Sequence, residues 1–162
     1  MWGILTTHSS EVNQIDSVVR WASGQYGRRV ILFGSSAGAP FAGSALDSSH
    51  GILGAVVVGY PFGMWASLAF SGHFKNIIAS SKPKYFIMGT KDEFTSLSTF
   101  ENTINKCTNA KGLIYDGIGH FELESPGFDS SIANDTFGFI KEILENPNIE
   151  TSIKTVAGQP HS

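Results

Sequence analysis

Short, predominantly apolar runs alternate along this chain with longer segments in which apolar residues recur every three or four positions. The runs cover Val30–Phe33, Ile52–Val58, Lys84–Met88 and Leu113–Tyr115. Continuous apolar character is typical of strands that are buried on both faces of a parallel sheet, whereas half-exposed strands alternate apolar and polar residues. The pattern therefore predicts four buried, parallel strands.

Helical periodicity appears between these runs. Glu11–Trp21 is predicted to be an amphipathic helix that Ser10 caps and Gly24 ends, after a loop at Met1–Ser10. Further helices are predicted at residues 37–46, in a short piece within 59–83, at 95–107 and at 131–144. Because right-handed crossovers place the helices over the sheet, the fold class predicted is α/β, an open and mostly parallel sheet with helices on both faces.

Length and composition fit one globular domain. The 162 residues, of which 41% are hydrophobic and 15% charged, can bury a core of their own. We assign residues 1–145 to this domain and predict that the polar segment 146–162, which contains Gly and Pro, is a frayed C-terminal tail. The net charge of -3 offers no basic stripe, so neither nucleic acid nor an anionic membrane is an expected partner.

Cysteine usage and the amino terminus bear on the compartment. Cys107 is the only cysteine, so no internal disulfide can form, which favours a reducing environment. No apolar run approaches the roughly 20 residues that span a bilayer, and the amino terminus lacks the pattern of a signal peptide. We therefore predict a cytoplasmic protein.

The first apolar run ends in a serine flanked by glycines, Gly34-x-Ser36-x-Gly38. In the G-x-S-x-G arrangement a strained turn from strand to helix presents the serine hydroxyl at the carboxyl end of the sheet. We expect both glycines to be required, because a side chain at either would crowd the turn or the close approach of the following helix.

Acidic residues and a histidine follow later strands. Asp92 and Glu93 come after the third strand, and Asp116 and His120 come after the fourth. Because the carboxyl ends of parallel strands meet at one edge of a sheet, these side chains are expected to lie near Ser36. A serine needs a base to remove its proton, and the histidine needs an acid to orient it, for which all three carboxylates are candidates.

These motifs make the sequence similar to the α/β-hydrolase superfamily over about residues 11–145, and in particular to small serine hydrolases of the dienelactone-hydrolase and esterase type. The matching segments are Gly34-Ser35-Ser36-Ala37-Gly38, the Gly-Thr-Lys-Asp92 loop and the Gly-Ile-Gly-His120 loop. The resemblance implies that Ser36 is the nucleophile, Asp92 the acid and His120 the general base. It also implies that the Ala37 backbone N–H donates to the oxyanion. Glu93 is then expected to face water, and Asp116 to close the fourth strand.

The resemblance leaves out the first part of the superfamily's sheet, in which strands precede the serine strand and a loop supplies a second oxyanion donor. We expect a fold truncated at the amino terminus, with the serine strand at a sheet edge. Such an edge exposes unpaired backbone groups and favours a homo-oligomer that forms through it. Alternatively, the chain is a truncated form of a longer hydrolase.

The function predicted is a serine hydrolase that cleaves an ester, thioester or amide bond of a small molecule through an acyl-enzyme on Ser36. No cofactor is expected, and the histidines show no metal-binding spacing. Four residues after the second strand could form an apolar wall for the substrate or could belong to the core: Tyr60, Phe62, Met64 and Trp65. The alternative function is a catalytically weak, hydrolase-like domain that binds a protein or a small molecule.

Overall fold

The computed structural model describes residues 7–27 and 29–158, without the side chains of residues 7–9 and 64–71. The helices are α1 (Thr7–Tyr26), α2 (Ala39–Ser44), α3 (Met64–Ala79), α4 (Leu97–Ile104), α5 (His120–Leu123) and α6 (Asp129–Glu145). The strands are β1 (Val30–Ser35), β2 (Ile52–Val58), β3 (Lys84–Gly89), β4 (Ala110–Asp116) and β5 (Ser152–Ala157). The 3-10 turns Ser36–Gly38 and Pro126–Phe128 connect β1 to α2 and α5 to α6.

The five strands form a parallel sheet in the order β1-β2-β3-β4-β5. Every residue of β3 is buried, as is every residue of β2 except one, which explains their continuous apolar runs. The predicted parallel α/β sheet is confirmed, and the bounds of β2 agree with the predicted strand. The strand ends are in register, because Ser35 pairs with Val58 and Gly89 pairs with Tyr115.

Helices pack on both faces of the sheet, because neighbouring residues of a strand point to opposite sides. On one face, Val57 and Phe86 belong to a core cluster with residues from the first four helices: Val19, Ala42, Ile77 and Phe100. On the other face, Val56 and Ile87 belong to a second cluster with residues from α5 and α6: Leu123, Ile132, Phe139 and Ile143. The sheet thus separates two apolar layers.

The serine strand β1 lies at one edge of the sheet, as expected. The prediction that Val30–Phe33 is buried on both faces is wrong, since Leu32 is buried but Phe33 is 55% exposed. The reason is the position of α6, which packs over β3 and stacks Phe139 on Tyr85 with 5.1 Å between ring centroids. The face of β1 towards α6 is therefore covered only in part: Ile31 packs on the second cluster, whereas Phe33 is exposed.

The prediction that residues 146–162 form a frayed tail is wrong, because residues 152–157 form β5 and pair with β4. Only two apolar side chains of this strand pack on the core, Ile153 on one face and Val156 on the other. The remaining β5 residues are exposed. An edge strand held mainly by main-chain hydrogen bonds leaves a weak apolar pattern, so the sequence does not predict it.

Two helices are longer than predicted. α1 contains both Ser10 and Gly24, which were expected to cap and to end it. It also includes the last four residues of the predicted loop Met1–Ser10. Residues 1–6 of that loop lie outside the described residues. The helix ends before Gly27, whose φ of +97° suits glycine and whose N–H donates to the Ser23 carbonyl at 3.2 Å. α3 has 16 residues instead of the short helix expected.

Cys107 is buried, and its thiol lies 3.4 Å from the Thr103 carbonyl oxygen. Among the described residues, no helix combines the length and the apolar character needed to cross a membrane. The cytoplasmic location stays a prediction.

Candidate active site

Three loops at the carboxyl edge of the sheet bring Ser36, Asp92 and His120 together. Ser36 Oγ lies 2.8 Å from His120 Nε2, and His120 Nδ1 lies 2.7 Å from Asp92 Oδ2. Ser36 follows β1, Asp92 follows β3, and His120 begins α5 after β4. The parallel topology therefore converts sequence positions that are far apart into one chain of hydrogen bonds.

Ser36 occupies a strained backbone conformation, with a φ of +47° that non-glycine residues rarely adopt. The turn is tight on the side of Gly34, where an added Cβ would lie 2.8 Å from Ala39 Cα and 2.9 Å from Ala42 Cβ. The expectation for Gly38 is wrong, because a Cβ there would meet no atom within 4 Å. Close packing of α2 on β1 thus constrains the first glycine of the motif only.

The His120 ring is held in a narrow space. Gly59, at the end of β2, has a φ of +57°, and a Cβ on it would lie 2.7 Å from His120 Cε1. Phe94 and Phe121 contact the imidazole edge to face, with centroid distances of 4.6 and 5.3 Å. His120 is only 1% exposed, so its orientation is fixed by packing as well as by hydrogen bonds.

Asp92 is oriented by backbone donors. Its Oδ1 accepts hydrogen bonds from the N–H groups of Phe94 and Thr95, both at 2.8 Å, which leaves Oδ2 for His120. A carboxylate only accepts, so Nδ1 of the neutral imidazole carries the proton and Nε2 faces the Ser36 hydroxyl with its lone pair. This is the protonation state that a general base requires.

The other two candidate acids, Asp116 and Glu93, have hydrogen-bond partners other than the imidazole ring. Asp116 ends β4, is exposed, and its Oδ1 accepts from the Thr90 hydroxyl at 3.2 Å. Glu93 is exposed, but the expectation that it simply faces water is incomplete, because its Oε2 accepts the His120 backbone N–H at 3.1 Å. Of the three candidates, Asp92 is the residue that the structure places on the imidazole.

The electrostatic environment of His120 is negative. The hydrogen bond to Asp92 raises the pKa of the His120 imidazole, burial lowers it, and the charges of Asp92, Glu124 and Glu93 raise it further, in that order. The net effect is a raised pKa, so His120 holds a proton more readily than a histidine in water. A base with these neighbours stabilises the imidazolium that forms when it takes the serine proton.

The residues expected to bind the substrate or the oxyanion differ in burial. Tyr60 and Phe62 are 2% and 8% exposed and stack on each other within the core, which favours the packing interpretation for both. The side chains of Met64 and Trp65 lie outside the described ones. Ala37 follows Ser36 within the 3-10 turn and is exposed.

Two features of the site were missed in the sequence. Gly59 directly follows the second predicted strand, and nothing in a local pattern relates it to His120. The Ser35 hydroxyl donates to Glu124 Oε1 at 2.6 Å, a contact between residues 89 positions apart. Such a pair of polar side chains has no periodic signature.

An open groove of about 670 Å³ lies between α6 and the edge strand β1. Its lining is mainly apolar and includes Phe33, Val58, Leu123, Ile132, Phe137 and Ile140. Ser35 and Glu124 also line it, whereas Ser36 and His120 do not. The groove thus adjoins the candidate site without containing its reacting atoms.

A second serine–histidine pair lies away from the sheet edge. Ser44 Oγ is 2.5 Å from His73 Nδ1 at the contact between α2 and α3, and Asn76 Nδ2 donates to the same hydroxyl at 3.3 Å. Within residues 7–27 and 29–158, His, Cys, Asp and Glu side chains form no group of three or more that could hold a metal ion.

Comparison with solved structures identifies the fold. Three similar structures are the esterase domain of a Rhodothermus marinus protein (TM-score 0.60, 10% identity, 81% of this chain and 65% of that one), a serine hydrolase homologue from Coxiella burnetii (0.61, 18%, 85% and 60%) and an esterase of Pyrococcus furiosus (0.63, 16%, 81% and 60%). The chain has the α/β-hydrolase fold that these proteins share, and it spans about three fifths of their length. Comparison with protein-family models and with curated proteins finds no match.

Proposed function

We propose that this chain, built on the fold of known esterases, is a serine hydrolase that cleaves a carboxylic ester, thioester or amide bond. The observation that carries the proposal is the continuous contact from Ser36 Oγ to His120 and on to Asp92, at distances of 2.8 and 2.7 Å. The positive φ of Ser36 supports it, because strained backbone persists where function requires it.

In the proposed reaction, Ser36 Oγ attacks the carbonyl carbon while His120 Nε2 accepts the hydroxyl proton. The Ala37 N–H donates to the oxyanion, and Asp92 stabilises the imidazolium. His120 then gives its proton to the leaving alcohol, thiol or amine, which leaves an acyl group on Ser36. Water, deprotonated by His120, attacks that ester, and return of the proton to Ser36 releases the acid. No cofactor enters this cycle.

A fluorophosphonate probe tests the proposal directly, because its phosphorus is attacked by an activated serine and fluoride leaves. We expect the wild type to be labelled at Ser36, as located by mass spectrometry of the digest, and Ser36→Ala to be unlabelled. Ser44→Ala is the matched control, because it removes a hydroxyl that also contacts a histidine. It should label as the wild type does. A wild type without Ser36-dependent labelling contradicts the hydrolase proposal.

The alternative function is a hydrolase-like binding domain, and the open groove beside β1 favours it. Phe33 and Phe137 are 55% and 63% exposed there, and β1 is an edge strand of the described sheet, to which a partner strand could pair. A homo-oligomer formed through this edge is part of the same proposal. Absence of labelling together with concentration-dependent association in analytical ultracentrifugation is the outcome that this alternative predicts.

A further inference from the structure

A hydrogen bond outside the chain Ser36–His120–Asp92 joins the nucleophile's strand to the base's helix. Ser35, the residue immediately before Ser36, donates its hydroxyl hydrogen bond to Glu124 Oε1 at 2.6 Å. Glu124 directly follows α5, the short helix that His120 begins. The bond therefore fixes the far end of α5 to the carboxyl end of β1.

The near end of α5 is held separately. The backbone N–H of His120 donates to Glu93 Oε2 at 3.1 Å, and that of Gly119 donates to Glu122 Oε2 at 2.7 Å. A helix of 4 residues has almost no internal hydrogen bonding of its own, so its direction depends on such external contacts. The connection of α5 to β1 is made by the side chains of Ser35 and Glu124.

We propose that Glu124 is a positioning residue that acts through Ser35 to hold α5, and with it the His120 ring, at bonding distance from Ser36. This inference rests on the proposed hydrolase function and adds to it a residue that touches none of the reacting atoms. A small displacement of a base from its nucleophile slows proton transfer strongly, so a bond that sets their separation affects kcat more than KM.

The charge and the hydrogen bond of Glu124 can be separated by substitution. Ser35→Ala removes the bond and keeps the charge. Glu124→Gln removes the charge and keeps an amide oxygen that can accept from Ser35. Glu124→Ala removes both. The charged groups that act on His120 are Asp92, Glu124 and Glu93, and all three raise its pKa.

The predicted sign of the pH effect follows from the role of His120. The base works when neutral, so kcat/KM falls on the acidic side as His120 becomes protonated. Loss of the negative charge of Glu124 lowers the pKa of His120. The acidic limb of the profile of kcat/KM against pH therefore moves to lower pH. Removal of the bond alone leaves that charge in place and the limb unmoved.

The experiment is a pH series of kcat and KM for hydrolysis of p-nitrophenyl acetate by the wild type, the three variants and Ser35→Thr. We expect Ser35→Ala to lower kcat about tenfold with KM unchanged, and Ser35→Thr, which keeps a hydroxyl, to restore it. Glu124→Gln should keep kcat within about twofold and shift the limb down by a few tenths of a pH unit. Glu124→Ala should show both changes. Glu145→Gln, on the exposed end of α6, controls for net charge.

Ser35→Ala and Glu124→Ala with wild-type kcat would overturn the positioning role while Ser36-dependent labelling of the wild type persists. A limb that shifts as far in Ser35→Ala as in Glu124→Gln also contradicts it, because the bond would then act only through charge. A wild type that neither hydrolyses the ester nor labels overturns the hydrolase proposal, and the positioning role with it.

Discussion

Two serine–histidine hydrogen bonds among the described residues differ little in length and much in surroundings. Ser36 and His120 are 2.8 Å apart at the carboxyl edge of the sheet, and Ser44 and His73 are 2.5 Å apart between α2 and α3. The shorter bond is the one that no active-site motif predicts. Distance alone therefore does not distinguish a candidate nucleophile from a packing contact.

What distinguishes the pairs is backbone, burial and the third partner. Ser44 ends a regular helix and is only 8% exposed, so its hydroxyl is largely shielded from solvent. Asn76 donates to that hydroxyl, and a hydrogen bond accepted by the oxygen lowers its nucleophilicity. Ser36 instead sits half-buried at a strained turn, and the far nitrogen of its histidine contacts Asp92. Activation requires these features together.

The largest effect should come from removing each histidine in turn. We expect His120→Ala to lower kcat/KM for an ester by at least about 10³-fold, because it removes the proposed base that contacts Ser36. His73→Ala should instead lower the free energy of unfolding by about 2–4 kcal/mol, since it leaves a cavity and removes a partner of Ser44. Ester hydrolysis and urea unfolding, measured on both variants, separate the two roles.

The distinction between the two pairs is contradicted if His73→Ala loses activity in the way expected of His120→Ala. Rates are compared per folded molecule. They are measured in buffer without urea, where both variants should retain the far-ultraviolet circular dichroism of the wild type. An His73→Ala protein that loses activity as deeply as His120→Ala would mean that the buried pair supports catalysis.

The turn that sets Ser36 apart can be tested at its two glycines. Gly34→Val should destabilise the protein by about 3 kcal/mol or more, because its Cβ alone would lie 2.8 Å from Gly38 O and from Ala39 Cα. Gly38→Ala has open space and a helical φ of -77°, so it should be neutral or stabilise by up to about 1 kcal/mol. Urea unfolding of both variants gives the difference directly. Equal destabilisation at the two positions would show that the tight approach of α2 to β1 is not what holds the turn.

The sequence predicts the central parts of this fold better than its edges. β2 was located to the residue because burial on both faces makes it apolar throughout, whereas β5 was missed because only Ile153 and Val156 reach the core. The burial of β1 was overestimated because the apolar residue Phe33 lies on a face that is covered only in part, and a local pattern does not reveal which face is covered.

In the candidate site, too, some residues could be predicted from the sequence and others could not. Ser36, Asp92 and His120 could be found because each lies just after a strand, and parallel strands end at one edge. The contacts that position them could not be found, because Ser35, Glu93 and Glu124 are ordinary polar residues at a strand end, in a loop and at a helix end. Gly59 directly follows β2 in the sequence, and only the folded structure places it against the imidazole.

Gly59 gives a smaller expected effect on activity than His120 does, and a more specific one. Gly59→Ala should lower kcat about 10- to 100-fold, because the new Cβ would lie 2.7 Å from His120 Cε1 and must move the ring away from Ser36. Gly27→Ala is the matched control, since Gly27 also has a positive φ, of +97°, but no atom within 4 Å of an added Cβ. Both variants should lose about 1–2 kcal/mol of stability from backbone strain, and only Gly59→Ala should lose activity per folded molecule. If both keep wild-type kcat, the ring tolerates displacement, and the narrow space around His120 is not part of what distinguishes its pair from that of His73.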